Sequence, residues 1–312
     1  MRIVSLLPSA TEIICALGLR DRLVGISHRC DFPPEIEGVA VVTRAIPAGA
    51  AAAAATSATA ARGGFAEGAG IDDELGLSQL DRALLLTVEP ELVIVGQRGR
   101  GPGPREVEAA LIGIAVSPEI VCLDPVTLEG IFHSLITLGA MTEAEDDAIE
   151  LLEALREDLS DIEQTVVARH DQGLRPKRVV VLEGLSPLRA SGRWVPEQVR
   201  RAGGWELLGR EGESSSPTSW KAIRDVDPEM LLFAPSGLTV LEAQAVWRAT
   251  ERPEFWDDLE AVRRGQVFFV EPVYFSRPGP RVVDGVGMLA EIFDPEGFID
   301  ASPPDSWTPL VE

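Results

Sequence analysis

The sequence is short of cysteine, lysine and aromatic residues, and each shortage removes a class of protein. Its three cysteines, Cys15, Cys30 and Cys122, are an odd set with no Cys-x-x-Cys pair. That excludes a disulfide framework and a zinc signature, and predicts small core or strand residues. Lysine occurs only at Lys177 and Lys221, and 28 bases against 50 acids leave a net charge of −22. Such a surface repels nucleic acid and anionic membranes, so neither is an expected partner. No apolar run reaches the length of a membrane span. Met1-Arg2 leads straight into Ile3-Val4-Ser5-Leu6-Leu7 without the charged, long-apolar and small-residue pattern of a leader, which predicts a chain that is not exported. Walker, Gly-x-Gly-x-x-Gly, Gly-x-Ser-x-Gly and His-Glu-x-x-His spacings are all absent. For a nucleophile and base at the mouth of the first half, the candidates are Ser5, Ser9 and His28.

What is present is a pattern written twice. Val88-Glu89-Pro90-Glu91-Leu92-Val93-Ile94-Val95 returns as Val226-Asp227-Pro228-Glu229-Met230-Leu231-Leu232-Phe233. Each copy is an acidic-Pro-acidic turn feeding an apolar run suited to a strand buried on both faces. Arg2-Ile3-Val4-Ser5-Leu6-Leu7 is matched by Arg178-Val179-Val180-Val181-Leu182-Glu183, and Glu119 to Pro125 by Gln266 to Pro272. The order is kept as well as the pattern. With 312 residues, 45% of them hydrophobic, the chain can hold two domains with real cores. Two such lobes predict a cleft between them, where small ligands bind.

Strands are expected at Ile3–Leu7, Leu23–Ser27 and Val39–Val42, alternating with helices as in a parallel sheet. Ser9 and Glu12 have capping-box spacing, and Gly18 is a natural helix stop. Residues 45–70, dominated by Ala, Gly, Ser and Thr, predict a low-complexity surface loop. A helix is expected over Leu75–Leu86, and a Gly/Pro loop over Gly96–Pro104. Thr142 to Arg169 carries the longest helical periodicity, with Thr142 and Glu145 as a capping box, and predicts a stiff rod of roughly 40 Å at about 1.5 Å per residue. Further helices are expected at Pro196–Arg201, Leu238–Thr250 and Pro280–Phe293. A polar, Pro-rich tail from Asp300 is expected to pack loosely. The fold class is therefore α/β: two Rossmann-like lobes with mostly parallel sheets, 1–141 and 171–312, joined by one long helix, 142–170.

The chain resembles the cobalamin-binding, helix-linked class of substrate-binding proteins that serve ATP-driven (ABC) importers. The segments that carry the resemblance are Ile3 to Glu12, Gly25 to Pro34, Trp194-Val195-Pro196-Glu197 with Ala202-Gly203-Gly204, and Tyr274 to Arg281. It covers the chain apart from residues 45–76 and the tail. In that family the ligand lies flat between the lobes, on loops at the strand carboxyl ends. The resemblance implies Pro8 and Ser9 on the first-lobe wall, His28 and Arg29 on the next loop, and Arg44 and Gln97 on the two that follow. Glu183, Trp194, Tyr274 and Phe275 are implied opposite them. It also implies transporter docking through one acid per lobe, Glu197 and Asp81.

A corrinoid ring is broad, part apolar and fringed with amides, so it needs aromatic or aliphatic faces and rim hydrogen bonds. Trp194 and Tyr274, the only tyrosine, suit that task. His28 could coordinate cobalt or iron. Arg29, Arg44 and Gln97 stand where some cobalamin binders carry aromatics, which leaves haem, a siderophore or another chelate open. The loop Gly96–Pro104 lacks the cysteine of a close subgroup. The expected function is non-catalytic binding of cobalamin or a related chelate by a monomer, for delivery to an ABC permease, with no resident cofactor or metal. The alternatives are a cytosolic sensor or carrier, and a hydrolase- or chelatase-like enzyme of the same architecture.

Overall fold

The computed structural model describes residues 1–46, 78–97, 101–114 and 116–311. The chain divides into two compact units. One comprises the described residues of Met1–Asp124 with His133–Leu152, and the other comprises Pro125–Phe132 and the chain from Glu153 onward.

In the first unit the elements run β1 (Ile3–Ser5), α1 (Pro8–Ala16), β2 (Leu23–Ile26), β3 (Thr43–Ala45), β4 (Ser78–Leu80), α2 (Arg82–Thr87), β5 (Leu92–Gly96), α3 (Pro104–Ala110) and β6 (Glu119–Leu123). Four of the strands form a parallel sheet in the order β2-β1-β5-β6. The inner strands β1 and β5 are apolar runs buried on both faces, as a covered parallel sheet requires. The core packed on this sheet is aliphatic: Val4, Leu6, Val42, Leu85, Val93, Val95, Val107 and Leu111.

Several local expectations give way to tertiary contacts here. Helix α1 begins at Pro8 with Leu7 as N-cap, so Ser9 lies inside the first turn and caps nothing. Pro at the first helical position needs no hydrogen-bond partner, which removes much of the need for a side-chain cap. Gly18 closes the helix with φ of 72°, its N–H donating to the Cys15 carbonyl. Residues 39–42 make only a parallel bridge, Ile26 to Val41, and the strand lies just beyond as β3, antiparallel to β4. The helix expected from Leu75 starts at Arg82, because Ser78–Leu80 is drawn into that pairing. The low-complexity stretch from residue 47, and Arg98–Arg100 of the Gly/Pro loop, lie outside the described residues. Cys15 and Cys30 are half-buried, and Cys122 is exposed on β6.

Helix α4 (Leu128–Met141) is followed by the 27-residue α5 (Glu145–Asp171). The division between the units falls within both helices, at Phe132 and at Leu152, whereas the sequence placed a single linker over 142–170. Thr142 is not the cap of α5: its hydroxyl donates back to the Leu138 carbonyl at 2.7 Å and finishes α4. The polarity of α5 is set by Glu145, Asp146 and Asp147 in its first turn and by Arg169 and His170 in its last, each opposing the helix dipole. Ala148, Leu155, Leu159 and Val166 form its buried stripe.

The second unit continues with β7 (Lys177–Leu185), β8 (Leu188–Ala190), β9 (Gly192–Arg193), α6 (Val195–Arg201), β10 (Gly204–Glu206), β11 (Arg210–Glu211), β12 (Ser216–Pro217), α7 (Trp220–Val226), β13 (Met230–Phe233), α8 (Val240–Ala249), α9 (Glu260–Arg263), β14 (Val267–Val270), α10 (Val273–Ser276), α11 (Val282–Phe293) and β15 (Trp307–Pro309). Its sheet runs β12-β8-β7-β13-β14-β15, with β10 also on β7; β10, β7, β13 and β14 are parallel. The tail does not pack loosely. β15 adds antiparallel to β14, Leu310 N–H donates to Val267 at 2.8 Å, and the Trp307 ring stands edge-on to Phe268 at 5.6 Å. All six tryptophans fall in this unit, and its core gathers Phe233, Trp247, Trp256 and Phe269.

The duplicated motif has duplicated geometry. Glu89 and Asp227 both adopt left-handed backbone, φ of 46° and 40°, at the turn into β5 and β13. In each copy the following acid, Glu91 or Glu229, accepts from the main-chain N–H of an arginine at the start of the neighbouring strand, Arg2 just before β1 at 2.5 Å and Arg178 within β7 at 2.9 Å. That arginine donates its guanidinium to the carbonyl of the left-handed residue, Arg2 to Glu89 and Arg178 to Asp227. The strained turn is held twice by the same pair of contacts, which accounts for the acidic-Pro-acidic spelling.

Candidate functional site

Strands in a parallel sheet end at one edge, and the loops leaving that edge are where open α/β sheets bind ligands. In the first unit this edge collects Pro8 after β1, His28 and Arg29 after β2, and Gln97 after β5. Pro8, His28 and Arg29 are half-buried and Gln97 is exposed. Arg44 is exposed on β3, where its Nε and Nη2 donate to Gln79 Oε1 at 3.1 and 2.9 Å. Ser9 is 5% exposed.

The loop after β2 is organised around one hydroxyl. Thr43 Oγ1, on β3, accepts from the His28 main-chain N–H at 2.9 Å, and lies 2.7 Å from His28 Nδ1 and 3.2 Å from Ser27 Oγ. Ser27 Oγ in turn accepts from Arg29 N–H at 3.3 Å. Burial, and then the neighbouring Arg29 charge, hold the His28 imidazole below its ordinary proton affinity. The contact to Thr43 holds the ring in a fixed orientation. The sequence singled out His28, but nothing local marked Thr43 as its partner, 15 residues away.

On the second unit, Tyr274 lies in α10 just after β14, half-buried, with the Arg281 guanidinium 5.6 Å from its ring centroid. Burial raises its phenol above the ordinary value. Two aromatics expected to offer a face to a ligand do not. Trp194 is 1% exposed and Phe275 2%, so both are packing residues in this structure. Trp194 precedes α6, whose residues Val195 to Val199 are all buried, so the element carries its ring inward.

Glu197 also departs from expectation. At 5% exposure it is no docking acid: Oε2 accepts from Leu128 N–H at the start of α4 at 2.9 Å, and Oε1 pairs with Arg201 at 2.9 Å. Arg201 also pairs with Glu163 of α5, so the carboxylate braces three helices within the second unit. Asp81 is exposed and caps α2, accepting from Leu84 N–H at 3.0 Å.

Glu183, near the end of β7, accepts from Gly192 N–H at 3.0 Å and so ties β7 to β9. Burial pushes its carboxyl up to about 7, with the nearby Glu206 adding to the effect. A carboxyl whose pKa is raised by folding stabilises the fold below its unfolded value and loses that contribution as pH rises towards 7. Glu183→Gln keeps an acceptor for Gly192. It is expected to leave stability near pH 4 unchanged and to raise it at pH 8 by up to about 3 kcal/mol. Denaturant midpoints at the two pH values measure this, and an equal change at both would refute it.

Among the described residues no group of three or more His, Cys, Asp or Glu side chains could hold a metal ion, and no helix is long and apolar enough to cross a membrane.

A model of the periplasmic binding protein family matches residues 77–274. YvrC, an ABC transporter substrate-binding lipoprotein of Bacillus subtilis (strain 168), is 22% identical over 303 residues, covering 95% of this chain and 81% of that protein. A vitamin B12-binding protein of Photorhabdus laumondii is 24% identical over 298 residues, covering 95% and 89%. Among solved structures, a periplasmic heme binding protein from Pseudomonas aeruginosa matches with a TM-score of 0.69 at 21% identity, over 99% of this chain and 95% of that one. The vitamin B12 binding protein BtuF of Vibrio cholerae matches with a TM-score of 0.63 at 22% identity, over 94% and 96%.

Proposed function

This chain belongs to the periplasmic binding protein family, and we propose that it binds a metal chelate, with cobalamin the first candidate, and passes it unchanged to an ABC permease. The observation that carries this reading is similarity along nearly the whole chain to proteins named for vitamin B12 binding. The neighbouring fold that carries the name of heme binding keeps a porphyrin in the same candidate class. In the first unit the side chains proposed to meet the guest are those left accessible at the carboxyl edge of its sheet, Pro8, His28, Arg29 and Gln97, with Arg44 on β3; in the second unit Tyr274 is the accessible aromatic after β14. Their mixture of ring, amide and cation suits a broad ring with a polar rim. Asp81 remains the proposed first-unit contact for the permease.

Calorimetric titration with cyanocobalamin and with hemin tests the reading. Saturable binding of at least one is expected, with a matching rise in melting temperature because the guest binds only the folded form. Tryptophan fluorescence reports on the second unit alone, since all six tryptophans lie there. Absence of any response to both ligands at high-micromolar concentration would reject the proposal.

A further inference from the structure

We infer that His28 is an axial ligand to the metal of the bound chelate, its Nε2 taking an exchangeable coordination position on cobalt or iron, with Thr43 as the residue that orients it. The inference rests on the chelate-binding reading and deepens it by naming the bond that selects the guest.

The argument begins with hydrogen-bond accounting around Thr43. Its hydroxyl has one proton and two lone pairs. One lone pair is used by His28 N–H, which can only donate. Two arrangements then satisfy the remaining contacts to Ser27 Oγ and His28 Nδ1. In one, Thr43 donates to Ser27 and accepts from Nδ1–H, leaving a lone pair on Nε2. In the other, Thr43 donates to Nδ1 and Nε2 carries the proton. A metal at Nε2 selects the first arrangement, which is the usual support of a ligating histidine, its other nitrogen donating to a fixed partner. Among the described residues Nε2 has no hydrogen-bond partner, and the ring is half-buried on the ligand-facing edge of its sheet.

A single imidazole is too little for a bare ion: no cluster of three or more ligating side chains exists among the described residues. It suits a metal whose equatorial positions are already filled by a ring and whose axial position is exchangeable. The step is a ligand substitution. The Nε2 lone pair forms the bond to the metal and a metal-bound water leaves; no oxidation state changes and the proton stays on Nδ1.

Paired probes separate the possible guests and isolate the bond. Hemin is compared with metal-free protoporphyrin, and aquocobalamin with cyanocobalamin, whose cyanide blocks the exchangeable position. The expected result is that the native protein binds the exchangeable member of one pair about tenfold or more tightly, with a shifted absorption band. His28→Ala should abolish that preference and the band shift, leaving the two members of the pair bound with equal affinity. Thr43→Val, close to isosteric, should reduce the preference about tenfold. Added imidazole should restore the band in His28→Ala. Equal preference and an identical spectrum in native protein and His28→Ala would overturn the inference while leaving the chelate-binding reading intact. Failure of the native protein to bind any of the four probes would overturn both.

Discussion

Glu206→Ala is expected to lower the unfolding free energy by about 3–5 kcal/mol, the sum of several buried donors left without an acceptor. Glu206 is 9% exposed at the end of β10, and its two oxygens serve three main-chain N–H groups. Oε2 accepts from Val181 of β7 at 2.9 Å, while Oε1 accepts from Leu208 at 3.1 Å and Gly209 at 2.9 Å. The carboxyl thus ties the turn after β10 to the strand at the centre of the sheet. Burial pushes it up to about 7 even against these bonds. Glu206→Gln, which keeps one acceptor oxygen and places an amide where the other stood, should recover part of the loss. Equilibrium denaturation in guanidinium measures both; a cost below about 1 kcal/mol for the alanine variant, as for a surface substitution, would show that the three donors find other partners.

A loss of similar size, about 3–5 kcal/mol, is expected for Trp247→Ala. Trp247 is 1% exposed at the centre of an aromatic group, with ring centroids 4.7 Å from Trp256, 4.8 Å from Phe233 and 5.8 Å from Trp220. Removing it leaves a cavity whose walls are rings carried on α7, β13 and the turn before α9, which cannot all close in together. Among the described residues its indole N–H has no hydrogen-bond partner. Trp247→Phe therefore gives up ring area without breaking a hydrogen bond, and should cost clearly less than the alanine change. Thermal unfolding distinguishes the variants, and similar values for Phe and Ala would contradict this account of the core. Among the described residues of the first unit the core packed on the sheet is built from Val and Leu, without such an aromatic group.

The long helix α5 and the strands β1, β5, β7, β13 and β14 were legible from residue order, because each depends on spacing along the chain. Apolar positions three and four apart make a helical stripe, and a short apolar run after a Pro-acidic turn makes a buried strand. The duplication was legible for the same reason. So was Gly18 as the stop of α1, since only its own backbone conformation is at issue.

The site was legible in outline only. His28 was identifiable by type and position, but its character comes from Thr43 on another strand. Glu197 reads as a surface acid until α6 carries it against Leu128, 69 residues away in sequence, and against Arg201. Trp194 reads as a loop aromatic until the burial of α6 takes its ring inside. Thr142 and Ser9 have capping-box spacing, yet α4 and Pro8 had already claimed those turns.

By itself, then, the order of residues determined the α/β class, the doubled strand-and-turn plan and the rod-like helix, because those follow from contacts a few residues apart. Tertiary structure alone decided which acids are braces, which rings are core, that the tail becomes β15, and which partner holds His28. Those outcomes depend on desolvation and on hydrogen bonds between distant segments, whose free energies are set only when the segments meet.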